Sequence, residues 1–401
     1  MKTGITLEEA LAIVREHTAP LPPEQGVGEE LLGRVLAENI IAPMDQPPFD
    51  RSPLDGYALV SADTRGADRD HPVQLEVVDT VYAGGWLQVT IRPGQCVRIM
   101  TGAPIPAGAD CVIRQEDTDL GHPCVQIYQE LRRHENYCFA GEDYQKGGVL
   151  LAAGTVLDAA ALGVLAGAGL WERPMAIYPR PRVLLAGTGD ELVRPGQPLK
   201  PGQIYNSNLP QLAARCRQLG LAADTVWWPD DPQAVADGLT AGVRDFDCVI
   251  TTGGVSVGDK DIFHQALPLA GAERLFWRVK LKPGTPLMFS LLEGRPVLSL
   301  SGNPFAAAAT FELLARPLLA ALAGQRDWQP LTLTAPLATP FSKASGGRRF
   351  VRGIYRDGAV TLPEGHSSGQ LRSQVGCNCL VDIPAGSPPL AVGTMVKVVL
   401  L

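Results

Sequence analysis

The chain has 401 residues, 45% apolar and 19% charged, with a formal net charge of −7. That length suggests two or three domains, and that apolar content excludes a disordered chain. The acidic balance argues against a nucleic-acid surface, and no uninterrupted apolar run of about 18 residues marks a membrane span.

Near the start, Thr6-Leu-Glu-Glu9 is a capping-box signature, and Leu7, Ala10, Leu11 and Val14 follow at helical spacing. Glutamates inside this apolar pattern exclude a signal peptide. Glu29 to Ile40 reads as a second helix ending before Pro43. Residues 47–143 alternate apolar and polar positions between Gly and Pro turns, the texture of a small β domain. A short helix over Ala159–Ala168, stopped by Gly169, returns the chain to its first segment, so the β domain is inserted.

From Pro181 the pattern alternates strand and helix. "RVLLAG", "AADTVWW", "FDCVITTGG", "LFWRVKL" and "PVLSLSG" read as strands. Asn208–Leu219, Asp231–Val243 and Pro304–Leu322 read as helices, with Asp231 as a cap. This is a parallel α/β sheet, whose ligands sit beyond the carboxyl ends of its strands. Residues 327–401 return to short β runs and form a separate β domain. The fold class is multidomain α/β plus β. Its divisions are 1–46 with 144–180, 47–143, 181–326 and 327–401. The eight cysteines are scattered without a CxxC pair, which fits buried free thiols in a reducing cytoplasm.

The unusual loops fall on one edge of the sheet: "GTGDEL", "WPDDP", "GGVSVGDKD", "KPGTP" and "SGNP". None is a P-loop, because GxxxxGK[ST] is missing. Glycine-turn amides suit phosphate, and Lys282 and Arg278 add positive charge. Glu191, Asp230 and Asp261 offer hard oxygens suited to Mg²⁺. Arg348, Arg349 and Arg352 in "GRRFVRG" form a basic cluster, either a solvated face or a holder for a small oxyanion. A polar segment, residues 367–379, follows it.

"SPLDGYA", "MTGAPIPAGAD", "TGDEL", "GGVSVGDKD", "KPGTP" and "SGNP" stand in the order of the molybdopterin molybdenumtransferases. From about residue 5 to the end, the chain resembles this MoeA family, to which the E domain of gephyrin belongs. The resemblance implies an α/β domain like the molybdopterin adenylyltransferases, an inserted β domain and a C-terminal β barrel. It implies insertion of molybdate into adenylylated molybdopterin, with Mg²⁺ present and AMP released. Asp55, Thr101, Asp261 and Lys282 are then the catalytic positions. Gly253, Gly254, Ser256, Gly258, Arg278, Thr285, Ser301 and Ser368 contact the ligand, and Glu191, Asp230 and Asp261 hold the metal. Thr285 stands where the family's motif has a second lysine. The resemblance further implies an extended homodimer that exchanges material with a molybdopterin adenylyltransferase and molybdoenzyme maturation proteins. The rival readings are an adenylyltransferase and a non-catalytic scaffold.

Overall fold

In the computed structural model, which describes residues 1–255, 262–325 and 328–401, the capping box at Thr6 is closed in both directions. The Glu9 amide donates to Thr6 Oγ1 at 3.2 Å, and the Thr6 amide donates to the Glu9 carboxylate at 2.7 Å. That cap starts α1 (Leu7–Glu16) directly after β1 (Lys2–Ile5). The helix buries Leu7, Ala10, Ile13 and Val14 in a core shared with Phe276, Phe311 and Leu318. Burying such an aliphatic side chain contributes about 1.5–3 kcal/mol.

The chain divides into two units. The first, Met1–Ala37 with Val156–Asp158 and Pro174–Leu401, holds the α/β sheet and the C-terminal strands. Its elements continue as β2 (Val183–Thr188), α2 (Asn208–Gln218), β3 (Ala223–Trp228), α3 (Pro232–Asp245), β4 (Cys248–Thr252), α4 (Phe263–Leu269), β5 (Glu273–Val279), β6 (Met288–Leu292) and β7 (Arg295–Leu300). The sheet order is β1-β5-β6-β7-β4-β2-β3. The strands β7, β4, β2 and β3 are mutually parallel, as the strand–helix alternation predicts. β6 is absent from the strands read in the sequence, and it runs antiparallel to both neighbours. Its cause is a two-residue turn, Glu293 at φ +51° and Gly294 at φ +76°, between the register partners Leu292 and Arg295. Positive φ at both central residues is the hairpin turn whose twist matches paired strands.

After β7 one continuous helical segment runs from Pro304 to Leu322, with a π-helical turn over Phe311–Ala315. Long and apolar as it is, it is 83% buried and forms part of the core. The last region carries β8 (Thr332–Pro336), β9 (Arg349–Arg356), β10 (Ala359–Thr361), β11 (Cys379–Ile383) and β12 (Met395–Leu400). They pair antiparallel in the order β8-β12-β11-β9-β10. The Ala338 amide donates to Val360 O at 2.7 Å, which joins the first strand's end to the last strand and closes the barrel. Closure removes the open edges that would otherwise invite aggregation.

The second unit is Glu38–Thr155 with Ala159–Arg173. Its five-stranded sheet places Gly56–Leu59 between Cys111–Arg114 and Gln95–Ile99, with Val73–Val81 and Cys124–Ile127 beyond. Tyr57, Leu59, Leu75, Cys96 and Ile113 fill one face. The helix expected over Glu29–Ile40 does not form. Gly28–Leu31 makes a single 3₁₀ turn, and Gly33 at φ +73° stops it. The β-branched Val35 and Ile40 then enter short strands instead.

Gly56 sits where no side chain fits: a Cβ there would lie 1.7 Å from the Ile113 carbonyl oxygen. Gly56→Ala is therefore expected to destabilise the second unit by about 3 kcal/mol, the upper range for overpacking. Thermal unfolding checks this; an unchanged melting temperature would mean that the strand can shift without cost.

Candidate active site

The site grows from three strand ends that approach too closely for side chains. Gly253, after β4, has φ +99°, and a Cβ on it would lie 2.6 Å from Thr188 O at the end of β2. Gly302, after β7, would place a Cβ 3.3 Å from the Cα of Gly253. Below them Asn208 Nδ2 donates to Thr252 Oγ1 and to Gly302 O, both at 2.8 Å, and Thr252 Oγ1 donates to Ser301 O at 3.2 Å. These buried bonds lock the turns together.

Above this floor opens a cleft of about 1200 Å³. Its walls combine the strand-end loops with residues of the barrel: Lys343, Arg349, His366, Ser367 and Ser368. One contact explains why both regions meet there. The backbone of Lys282 pairs with the start of β9: its amide donates to Arg348 O at 2.9 Å, and its carbonyl accepts from the Phe350 amide at 2.7 Å. A second contact joins the other side, where the Phe305 amide donates to Ser368 O at 2.9 Å.

The cleft brings together Glu191, Asp230, Gly253, Gly254, Lys282, Thr285, Ser301 and Ser368 of the residues singled out in the sequence. Thr285 is already engaged, its Oγ1 donating to Leu281 O at 2.6 Å. Arg278 is not part of the lining. It is exposed at φ +65°, and its guanidinium lies over the Trp277 ring at 5.5 Å. Ser256, Gly258 and Asp261 lie outside the described residues. Asp231 is a helix cap, accepting the Ala234 amide at 2.8 Å.

Glu191 and Asp230 follow the adjacent strands β2 and β3. The turns that carry them are laced by reciprocal bonds, Asp190 amide to Asp230 Oδ2 at 3.3 Å and Asp230 amide to Asp190 Oδ1 at 3.2 Å. Among the described residues no three His, Cys, Asp or Glu side chains gather as a complete metal site. Two carboxylates are nevertheless enough for Mg²⁺ when a ligand supplies phosphate oxygens.

The three arginines of the basic cluster part company. Arg348 is bound in a fork by Asp382, at 2.8 and 2.7 Å, and also meets Glu8. The Asp382 hydrogen bond is the main influence raising its pKa. Arg352 is 1% exposed and donates to the carbonyls of Gln370 at 3.0 Å and Ser367 at 2.7 Å. Its guanidinium also stacks on the Phe305 ring at 3.9 Å. It therefore holds the loop that carries Ser368. Only Arg349 faces the cleft, steadied by a 3.0 Å bond from Nε to Ser345 Oγ. No carboxylate pairs with Lys282, Lys343 or Arg349 among the described residues. Lys343 and His366 had no signal in the sequence, because a barrel loop reaches the sheet edge only through the tertiary fold.

In the second unit, Thr101 donates to Asp55 Oδ1 from its amide at 2.7 Å and from its hydroxyl at 2.8 Å. Those bonds, the amide first, hold the Asp55 carboxyl below the usual carboxylate range.

Comparison with known proteins covers nearly the whole chain. Residues 5–169 match the MoeA N-terminal region (domain I and II), 186–321 a probable molybdopterin binding domain, and 334–401 the MoeA C-terminal region (domain IV). The chain is 33% identical over 404 aligned residues to a molybdopterin molybdenumtransferase of Staphylococcus aureus, covering 100% of this chain and 96% of the relative. It is 37% identical to molybdopterin molybdenumtransferase 2 of Mycobacterium tuberculosis, covering 97% and 96%. The crystal structure of a molybdopterin biosynthesis protein, moeA, of Pyrococcus horikoshii superposes with a TM-score of 0.85 at 28% identity, covering 99% of this chain and 100% of the other.

Thr285→Lys adds a fourth cation to a cleft already lined by Lys282, Lys343 and Arg349. Binding of molybdate, read by calorimetry, is expected to tighten by up to about fivefold, near 1 kcal/mol for a solvent-screened charge. The gain should shrink as salt rises. Unchanged affinity at low salt would show that this position does not face the anion.

Proposed function

This chain belongs to the molybdopterin molybdenumtransferase (MoeA) family, and from that premise we propose that it inserts molybdate into adenylylated molybdopterin with release of AMP. The observation that carries the reading is the cleft itself. Glycine turns, Lys282 and Arg349 line it together, and neither cation is paired with a carboxylate among the described residues. A pocket so built attracts multiply charged anions although the chain is acidic overall.

The protein's part is to bind, orient and neutralise. Of the two turn amides after β4, that of Gly253 is engaged by Leu300 O at 3.2 Å, so that of Gly254 is the one suited to a phosphate. Lys282 and Arg349 offset the charge of the molybdate dianion, so that two anionic partners can approach. Ser368 stands on a loop held by Arg352 and adds a hydroxyl beside the same cations. Glu191 and Asp230, together with Asp261 beyond the described residues, are the side chains that would hold Mg²⁺, which supplies charge neutralisation to the pyrophosphate when bound. The sulfurs of the dithiolene are the nucleophiles, so no protein nucleophile is needed. Asp55 and Thr101 remain catalytic positions on the strength of their motifs. We further propose that the chain acts as a homodimer in the cytoplasm; light scattering should give twice the mass of the chain, and a monomer would refute the dimer.

The functional test is direct. Purified protein supplied with adenylylated molybdopterin, molybdate and Mg²⁺ should release AMP in step with the molybdenum cofactor formed. Lys282→Ala should weaken ligand binding by about 1.5–3 kcal/mol, the scale of a lost charge-assisted bond. A wild-type protein that consumes ATP and forms adenylylated molybdopterin, without inserting molybdenum, would overturn the reading.

A further inference from the structure

His366 is a wall residue of the cleft, distinct from the cations and carboxylates assigned to binding. It stands in the barrel loop that also carries Ser367 and Ser368. Its ring packs edge-on against Phe341, centroids 5.4 Å apart. Nδ1 is buried and meets no hydrogen-bond partner, which leaves Nε2 as the nitrogen open to a ligand. The charged groups acting on the ring are Arg352, Lys343 and Arg349, all of them cations. Burial first, and these cations after it, hold its pKa below the usual histidine value. In the empty cleft the ring is therefore neutral at neutral pH. Protonating it there would place a positive charge among three others, with a buried N–H lacking an acceptor. A dianion seated between Lys343 and Arg349 reverses that balance, since it offsets the cations and accepts a hydrogen bond from Nε2.

We propose that His366 takes up a proton when molybdate binds and then acts as the general acid that protonates a departing oxo group. This rests on the functional reading above. For the first sulfur the balance is MoO₄²⁻ + R–SH + H⁺ → R–S–MoO₃⁻ + H₂O. The sulfur–molybdenum bond forms as one molybdenum–oxygen bond breaks. The thiol and the imidazolium each give one proton to the leaving oxygen, which departs as water. Molybdenum keeps its oxidation state, and His366 ends neutral, ready to take another proton from solvent. His366 is suited to this task because it is the one histidine of the lining, and no cysteine lines the cleft among the described residues.

The test is isothermal titration of molybdate into the protein in buffers of different ionisation enthalpy. The slope counts the protons taken up. Wild type is expected to take up part of one proton, up to a whole one, per site. Uptake appears above the lowered pKa of the empty site and dies away once pH exceeds the raised pKa of the bound site. His366→Gln should still bind molybdate, with no uptake. Its turnover in AMP release should fall about a hundredfold, the lower range for general acid catalysis. The wild-type turnover number should fall as pH rises through the bound-state pKa, and that limb should vanish in the variant. A purely structural histidine would lower thermal stability without changing the proton count. His366→Asn serves if the glutamine variant does not fold. Molybdate binding without proton uptake by wild type, or undiminished uptake by the variant, overturns the proposal. A wild type that binds no molybdate in the cleft overturns the functional reading instead, so the two failures are distinguishable.

Discussion

The pairing of Lys282 with β9 is the constraint on which the site depends. Two backbone bonds, to Arg348 O and from the Phe350 amide, make the "KPG" turn an extra rung beside the barrel. A turn that ended freely in solvent would leave its lysine on a flexible tether. Here the chain direction is fixed on both sides of Lys282. Its neighbour in the pairing, Arg349, is presented to the same cleft. Gly284 at φ +96° completes the turn, where a Cβ would come within 2.4 Å of Thr310 Cγ2. The barrel and the sheet thus share a core, with Phe350, Leu380 and Val399 packed among the side chains of the α/β region.

A second buried contact sets the opposite wall. Arg352 gives up water, and its compensation is carbonyl oxygens of the Ser368 loop and the face of Phe305. A buried cation without a carboxylate is costly to hold, and burial lowers its pKa accordingly. Such a residue is retained where its geometry matters more than its stability. Here the geometry is the placing of Ser367, Ser368 and His366 against the cleft. Both walls are therefore held by main-chain bonds and buried side chains, while the cleft-lining cations Lys282, Lys343 and Arg349 remain exposed or half-buried.

Much of this was legible in the sequence because it is local. The capping box at Thr6, the cap at Asp231 and the glycine turns at Gly253 and Gly254 are short-range signals, and each stands where its spacing placed it. The parallel strands β2, β4 and β7 could be read as continuous apolar runs, so the loops on their carboxyl ends could be grouped on one edge. What was hidden is non-local or a matter of one conformation. Glu293-Gly294 reads as an ordinary loop until both residues take positive φ and reverse β6. The division of labour among Arg348, Arg349 and Arg352 follows from which side of β9 each faces and which partner waits there. Arg278 reads as a ligand from its charge and from its place in the family's motif order, yet it is exposed at φ +65° and absent from the cleft lining. His366 carries no pattern at all, because its neighbours Phe341 and Lys343 lie more than a strand away in the chain.

The central claim is that sheet loops and barrel together build one oxyanion site around Lys282. Crystals soaked with tungstate, a heavy stand-in for molybdate, test it by anomalous scattering at the tungsten edge. The account predicts a single strong peak in the cleft, within hydrogen-bond reach of Lys282, Arg349 or Ser368. An empty cleft at saturating tungstate, with ordered anion bound elsewhere on the chain, would contradict it.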